Sequence, residues 1–192
     1  MDIIQAIEIF AFVTGVAYVL LEILQKNAMW VVGFLTAAAC AYSFAVQHSW
    51  GMMALNIYYF VMSFIGLWRW RKDGAAVGEE AIHLRPLPRK TALWSAAAFV
   101  VGSLAAIALL RALGDNASVL DASATVLSVI ATWWLAASYL QQWLLWIVAD
   151  VMTTLLCILS GQYWLAVLYV AYVVSAVYGY YHWKRNGVFV EA

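Results

Sequence analysis

Trp143-Leu144-Leu145-Trp146-Ile147-Val148-Ala149-Asp150 is a Trp-x-x-Trp-x-x-x-Asp run at the head of an apolar segment that continues to Leu159. At helical spacing, positions 143, 146 and 150 fall within roughly 60° of one another, so two indoles and one carboxylate share a stripe. A carboxylate at membrane depth is costly and is normally turned toward a bundle interior or a wet cavity, while an aromatic face attracts positive charge. Such a stripe can hold a flat cation. The same residues can also serve as packing or interface anchors, with Asp150 bonded to a neighbouring helix.

The rest of the chain explains why that run belongs in a membrane. Of 192 residues, 67% are hydrophobic and only 10% charged, more apolar surface than a soluble domain of this length can bury. Apolar runs of about twenty residues suit helices crossing a core about 30 Å thick, not the short alternating strands of a barrel. Seven spans are expected: Ile3 to Leu24, Ala28 to Val46, Trp50 to Trp70, Thr91 to Leu113, Val119 to Tyr139, Trp143 to Leu159 and Gln162 to Trp183. The first lacks the basic start and cleavage site of a signal peptide and is read as retained. Trp30 and Tyr42 near the ends of the second span suggest interface anchors. Cys40 and Cys157 lie inside apolar runs and read as small hydrophobes, with no disulfide framework.

Polar residues in the spans fall on faces. Glu8, Gly15 and Glu22 repeat every seventh residue, so two acids should look inward. Asn56, Tyr59, Ser63, Gly66 and Trp70 form one continuous stripe of the third span. Asp121, Thr125, Ser128 and Thr132 form another on the fifth, where the hydroxyls either line a cavity or bond their own backbone carbonyls. The segment Arg69 to Lys90 holds both prolines, Pro86 and Pro88, and reads as the one linker. The domain plan is therefore a first three-helix bundle (1–72), a linker with a connecting fourth helix (73–118) and a second three-helix bundle with a short tail (119–192). Nine of the ten Lys and Arg residues fall on the side that holds the C-terminus and only Arg111 on the other. By the positive-inside rule the N-terminus is outside and the C-terminus cytoplasmic.

An internal repeat appears when the third and seventh spans are aligned at an offset of 113 residues: Trp50 meets Tyr163, Tyr59 meets Tyr172, Gly66 meets Gly179 and Trp70 meets Trp183. With a three-residue shift, Trp30 meets Trp146. Two three-helix halves in the same orientation are the parallel-repeat plan of some transporters, with substrate bound near mid-membrane between the halves.

These residues resemble a family. Asn56-x-x-Tyr59-x-x-Met62-Ser63-x-x-Gly66-x-x-x-Trp70, the Asp121-Ala122-x-x-Thr125-x-Leu127-Ser128 run, Trp143-x-x-Trp146-x-x-x-Asp150 and the Tyr172 to Trp183 stretch are similar to the PnuC vitamin transporters over nearly the whole chain outside the linker. The resemblance implies an all-α, seven-helix, SWEET-like 3+1+3 fold in a bacterial inner membrane. It further implies facilitated passage of nicotinamide riboside, drawn onward by a cytoplasmic kinase that phosphorylates it. Asn56, Tyr59, Thr132, Trp143, Trp146 and Asp150 would contact the substrate. Members that take nicotinamide riboside often have Asn at the position of Asp150 and Gln at that of Thr132, and thiamine-transporting PnuT relatives share the Ile82-His83 linker. Both vitamins are flat aromatic cations, and the stripe fits either.

Other classes lack their residues. His48, His83 and His182 lie at span ends or in the linker, and no metal-ligand spacing or Ser/His/Asp arrangement appears, so neither an enzyme nor a metal or haem cofactor is expected. Nothing suggests a nucleic-acid partner. The spacing of small residues forms no clear dimer motif, which leaves an oligomer possible. A proton relay through Glu8, Glu22 and Asp150 and a vitamin-sensing or scaffold protein without flux are the remaining alternatives.

Overall fold

The computed structural model describes residues 3–78, 81–112 and 119–190, with the side chains of Glu8 and Leu110 outside that description. The expected inward turn of Glu8 and the expected end of the fourth span at Leu113 therefore lie outside the described residues. The elements are α1 (Ile3–Ile23), α2 (Ala28–Val46), α3 (Trp50–Val77), β1 (Ile82–Leu84), α4 (Arg89–Ala112), α5 (Val119–Ala136), α6 (Gln142–Leu159), α7 (Tyr163–Asn186) and β2 (Gly187–Phe189). All seven helices are long and apolar enough to cross a membrane. No proline interrupts any of them, and Pro86 and Pro88 precede α4, where a missing backbone N–H costs nothing. Large apolar side chains face outward, among them Trp94, Leu159 and Trp164, as a lipid solvent requires and water forbids.

Four helices end in the same way. Gln25, His48, Ser138 and Gly161 have positive φ of 48°, 57°, 57° and 72°, and each helix closes on a bond from the next residue back to its last turn. Lys26 N–H donates to the Leu21 carbonyl, Ser49 to Phe44, Tyr139 to Trp134 and Gln162 to Cys157, at 2.8 to 3.1 Å. This six-to-one bond around a left-handed residue satisfies carbonyls that would otherwise be orphaned at the helix end. The first two ends recur 113 residues later as the last two.

The chain divides into two compact units. The first holds residues 1–84, 136–138 and 185–192, so it comprises α1 to α3, β1, the turn after α5 and the C-terminal strand. Its helices pack in sequence, α1 on α2 and α2 on α3. The second holds residues 85–135 and 139–184, that is α4 to α7. Within it α4 meets α5 where the Trp134 indole N–H donates to Ser95 Oγ at 3.0 Å and where Gly102 lies against Val126.

Two expectations are corrected. The third span does not give way to a linker near Trp70: α3 continues to Val77, because Asp73 and Gly74 on its extra turns are buried, and it stops at Gly78, whose φ is 107°. The expected linker also contains β1, which is wholly buried and paired in parallel with β2, Ile82 to Gly187, His83 to Val188 and Leu84 to Phe189. Nor is Trp30 a headgroup anchor. It is 1% exposed, meeting the Trp70 ring edge-on at 5.1 Å.

His83 is the knot of the first unit. Gln25 donates through Nε2 to the His83 carbonyl at 3.0 Å and accepts the His83 N–H through Oε1 at 2.7 Å. His83 Nδ1 lies 3.0 Å from Ser138 Oγ and 4.0 Å from Asp73 Oδ2, and its ring meets Trp70 edge-on at 5.5 Å. Gln25 and Ser138, the two left-handed residues 113 apart, thus grip one strand residue. Gln25→Met is expected to leave two buried backbone groups of His83 without their side-chain partner and to cost about 2 kcal/mol. A fall in the melting temperature of the detergent-solubilised protein would show this; an unchanged melting temperature would mean that the grip is dispensable.

Candidate functional site

The residues expected to touch substrate fall in both units. In the first, Asn56 is buried on α3 and its Nδ2 donates to the Met52 carbonyl at 2.8 Å, one turn back. Tyr59 is half-buried, beside the Tyr58 ring with centroids 5.7 Å apart. Ser63, Gly66 and Trp70 complete the stripe and are all buried. Gly66 is obligatory there, because the Trp30 indole occupies the space that a Cβ would take.

In the second unit α6 carries the Trp-x-x-Trp-x-x-x-Asp run. Its buried positions are Gln142, Trp143, Ala149, Asp150 and Cys157, one coherent face at helical spacing. Trp143 is 2% exposed; it lies against Gly179, where a Cβ would come 2.5 Å from its ring, and meets Trp183 edge-on at 5.4 Å. Trp146 is half-buried with its Nε1 sealed from solvent and unpartnered within the protein. Asp150 is 8% exposed. Its backbone carbonyl accepts from Thr154 Oγ1 at 2.7 Å, while Tyr169 and Tyr172 of α7 lie within electrostatic reach of its carboxylate. Thr132 is buried on α5, and its hydroxyl donates to the Ser128 carbonyl at 2.8 Å as Ser128 donates to Ala124. Of the two readings of that hydroxyl stripe, these two side chains take the backbone one, which leaves only oxygen lone pairs free to accept.

The structure thus separates two roles that the Trp-x-x-Trp-x-x-x-Asp pattern merged. Trp143 is the packing partner of Gly179 and Trp183, as Trp30 is of Gly66 and Trp70. Trp146 and Asp150 carry polar groups on the same helix, a sealed indole N–H and a buried carboxylate. The like settings of Trp30 and Trp143 favour pairing these two positions over pairing Trp30 with Trp146. Trp30 corresponds to Trp143 at the constant offset of 113, with no three-residue shift, and Trp146 has Gly33 as its counterpart. Tyr169 was missed by the sequence reading, although Asn56 and Tyr59 lie 113 residues before Tyr169 and Tyr172 and could have pointed to it. Among the described residues no group of His, Cys, Asp and Glu could hold a metal ion.

Seven helices long and apolar enough to cross a membrane, one of them carrying a buried carboxylate, define a multi-pass membrane protein. Residues 5–185 match the sequence profile described as nicotinamide mononucleotide transporter. The nicotinamide riboside transporter PnuC of Neisseria mucosa is 32% identical over 91% of this chain and 70% of that protein, and PnuC of Haemophilus influenzae is 27% identical over 90% and 76%. A solved structure, described as the crystal structure of the vitamin B3 transporter PnuC, superposes with a TM-score of 0.72 at 30% identity, over 92% of this chain and 79% of that one. The chain belongs to the nicotinamide mononucleotide transporter family, a family of transporters and not of enzymes. Its seven apolar helices fit a multi-pass inner-membrane protein.

Proposed function

We propose that the protein is a facilitative carrier of nicotinamide riboside, working by alternating access, with the vitamin trapped inside by a cytoplasmic kinase. The observation that carries this reading is Asp150, a carboxylate buried one turn from the Trp146 indole, in a chain whose relatives bear the name nicotinamide riboside transporter. An indole face and a carboxylate together suit a flat aromatic cation. Asn56, Tyr59 and Thr132 are proposed as further contacts, with Trp143 adding its unpartnered indole N–H. The nine basic residues on the side that holds the C-terminus support a cytoplasmic C-terminus.

The duplicated helix ends and the two glycine-seated tryptophans support a SWEET-like 3+1+3 parallel repeat, with bundles at 1–72 and 119–192 joined by 73–118. Matched halves can alternate by rocking, and that motion needs no coupling ion if trapping follows. The Lys and His residues of the spanning helices, Lys72, Lys90, His182 and Lys184, lie within two turns of a helix end, away from the depth at which a proton relay through Glu22 and Asp150 would need them. Thiamine is the second reading, favoured by the acid at 150, which could accept the amino group of a pyrimidine.

Liposomes loaded with unlabelled vitamin are expected to exchange it with external label equally well with or without a pH difference. A kinase enclosed in the lumen should then drive accumulation of nicotinamide riboside. Accumulation of unmodified vitamin that collapses with a protonophore would overturn the uncoupled mechanism. Exchange of thiamine but not of nicotinamide riboside would overturn the substrate, and binding without any flux would point to a sensor.

A further inference from the structure

The two halves provide an internal control. Helix α2 and helix α6 begin with the same local geometry: Met29 N–H donates to the Lys26 carbonyl at 2.9 Å, and Gln142 N–H to the Tyr139 carbonyl at 3.1 Å. The next residue in each, Trp30 or Trp143, lies on a glycine of the helix that follows and edge-on to its tryptophan. Features present in both helices belong to the scaffold. Features present in one only are candidates for function.

Along one face of α6, at one-turn spacing, three side chains differ in kind from their counterparts. Gln142 stands where α2 has Met29, Trp146 where it has Gly33, and Asp150 where it has Ala37. Each substitution adds a hydrogen-bonding or charged group to an apolar or empty position. The three lie within about 80° of helix turn and span about 12 Å at 1.5 Å per residue. Gln142 is the least expected of them. It is 0% exposed, and neither Nε2 nor Oε1 has a partner within the protein. An unpartnered amide sealed away from water is destabilising, and Met29, also 0% exposed, shows that an apolar side chain fills the equivalent place. The fold does not need the amide.

Resting on the reading of the chain as a nicotinamide riboside carrier, we propose that Gln142 is a further substrate contact, the residue that reads the carboxamide of the vitamin. A primary amide presents one acceptor and one donor side by side, and so does a carboxamide, so the two pair reciprocally. The ring lies over Trp146 between the two ends of the line. Asp150, which only accepts when ionised, takes the positive and hydroxyl-bearing end of the ligand. A vitamin whose carboxamide is replaced by a carboxylate offers Gln142 no donor and brings a second anion toward Asp150, so it is rejected. Specificity of this kind is strong because the site's own polar groups are left unpaired by the wrong ligand.

The test compares wild type with Gln142→Met and Gln142→Glu, using tryptophan fluorescence to follow nicotinamide riboside and nicotinic acid riboside, and melting temperature to follow the empty protein. Wild type should prefer the amide. Gln142→Met should bind the amide roughly 10- to 100-fold more weakly, with most of the preference over the acid gone. At the same time the empty protein should melt higher, by about 2 °C or more. That opposition separates a binding amide from a structural one, whose removal would lower both. Gln142→Glu keeps the shape of the side chain and loses the NH2 donor, so it too should lose the amide-bearing ligand, and it supplies the same readout if the methionine variant misfolds. Unchanged amide affinity in either folded variant, or a wild type that does not distinguish amide from acid, would overturn the proposal while leaving the transport reading intact. Failure of wild type to bind nicotinamide riboside at all would instead bring down the transport reading, and this one with it.

Discussion

Gly66→Ala is expected to be among the most damaging single-atom additions to the chain. A Cβ at Gly66 would fall inside the Trp30 indole, with three ring atoms as its nearest neighbours. Trp30 is 1% exposed and held edge-on by Trp70, itself 0% exposed, so the ring has little room to retreat. Overpacking a tight core costs about 1 to 3 kcal/mol, and the upper part of that range applies where the obstacle is a rigid ring instead of a flexible side-chain end. The expected result is a sharp loss of folded protein in detergent and a melting temperature lower by several degrees. Gly66→Ala combined with Trp30→Leu should recover part of that loss, since the double variant removes the ring that the methyl strikes. Equal stability of Gly66→Ala and wild type would show that α2 and α3 can part freely at this point. Gly51, by contrast, has open space around its Cβ position, and Gly51→Ala should be silent in the same measurement.

The distribution of such contacts explains how much of the molecule could be read without coordinates. Seven helices were legible because lipid imposes length and apolarity on every span, and most helix bounds fell within a few residues of those expected. The interior stripe of α3 was legible because Asn56, Ser63, Gly66 and Trp70 recur at helical spacing on one face, and all four are buried. The partner of Trp30 was not. Local patterns give the face of a residue but not its neighbour on the next helix, so a tryptophan near a span end reads as an interface anchor although Trp30 is seated on Gly66 and Trp70. The linker was misread for a related reason. Its charged and proline-rich composition hides three buried strand residues, Ile82 to Leu84, whose pairing partner, β2, is about a hundred residues distant in sequence. At the candidate site the sequence showed that Trp146 and Asp150 share a face. It could not show that Trp143 is spent on Gly179, that the Thr132 hydroxyl is spent on Ser128, or that Gln142 is wholly buried with nothing bonded to its amide.

Asp150→Asn should separate charge from shape at the centre of that site. The substitution keeps nearly the same volume and replaces an acceptor-only carboxylate by an amide with two donors, so packing around position 150 is preserved while the charge is lost. Removing a charge from an apolar span is inexpensive or favourable for the empty protein, and expression and melting temperature should hold or rise. Binding should behave otherwise. A cation that meets Asp150 at 8% exposure interacts through a poorly screened medium, and its affinity should fall at least tenfold, about 1.4 kcal/mol. The dihydro form of the same nucleoside has an uncharged ring and nearly the same outline, so it should lose much less; the difference between the two losses isolates the charge. Thiamine, the other cationic candidate, should weaken along with the oxidised nucleoside. Equal losses for the charged and uncharged rings would mean that Asp150 acts through hydrogen bonds to the sugar, and unchanged affinity for every ligand would remove it from the site.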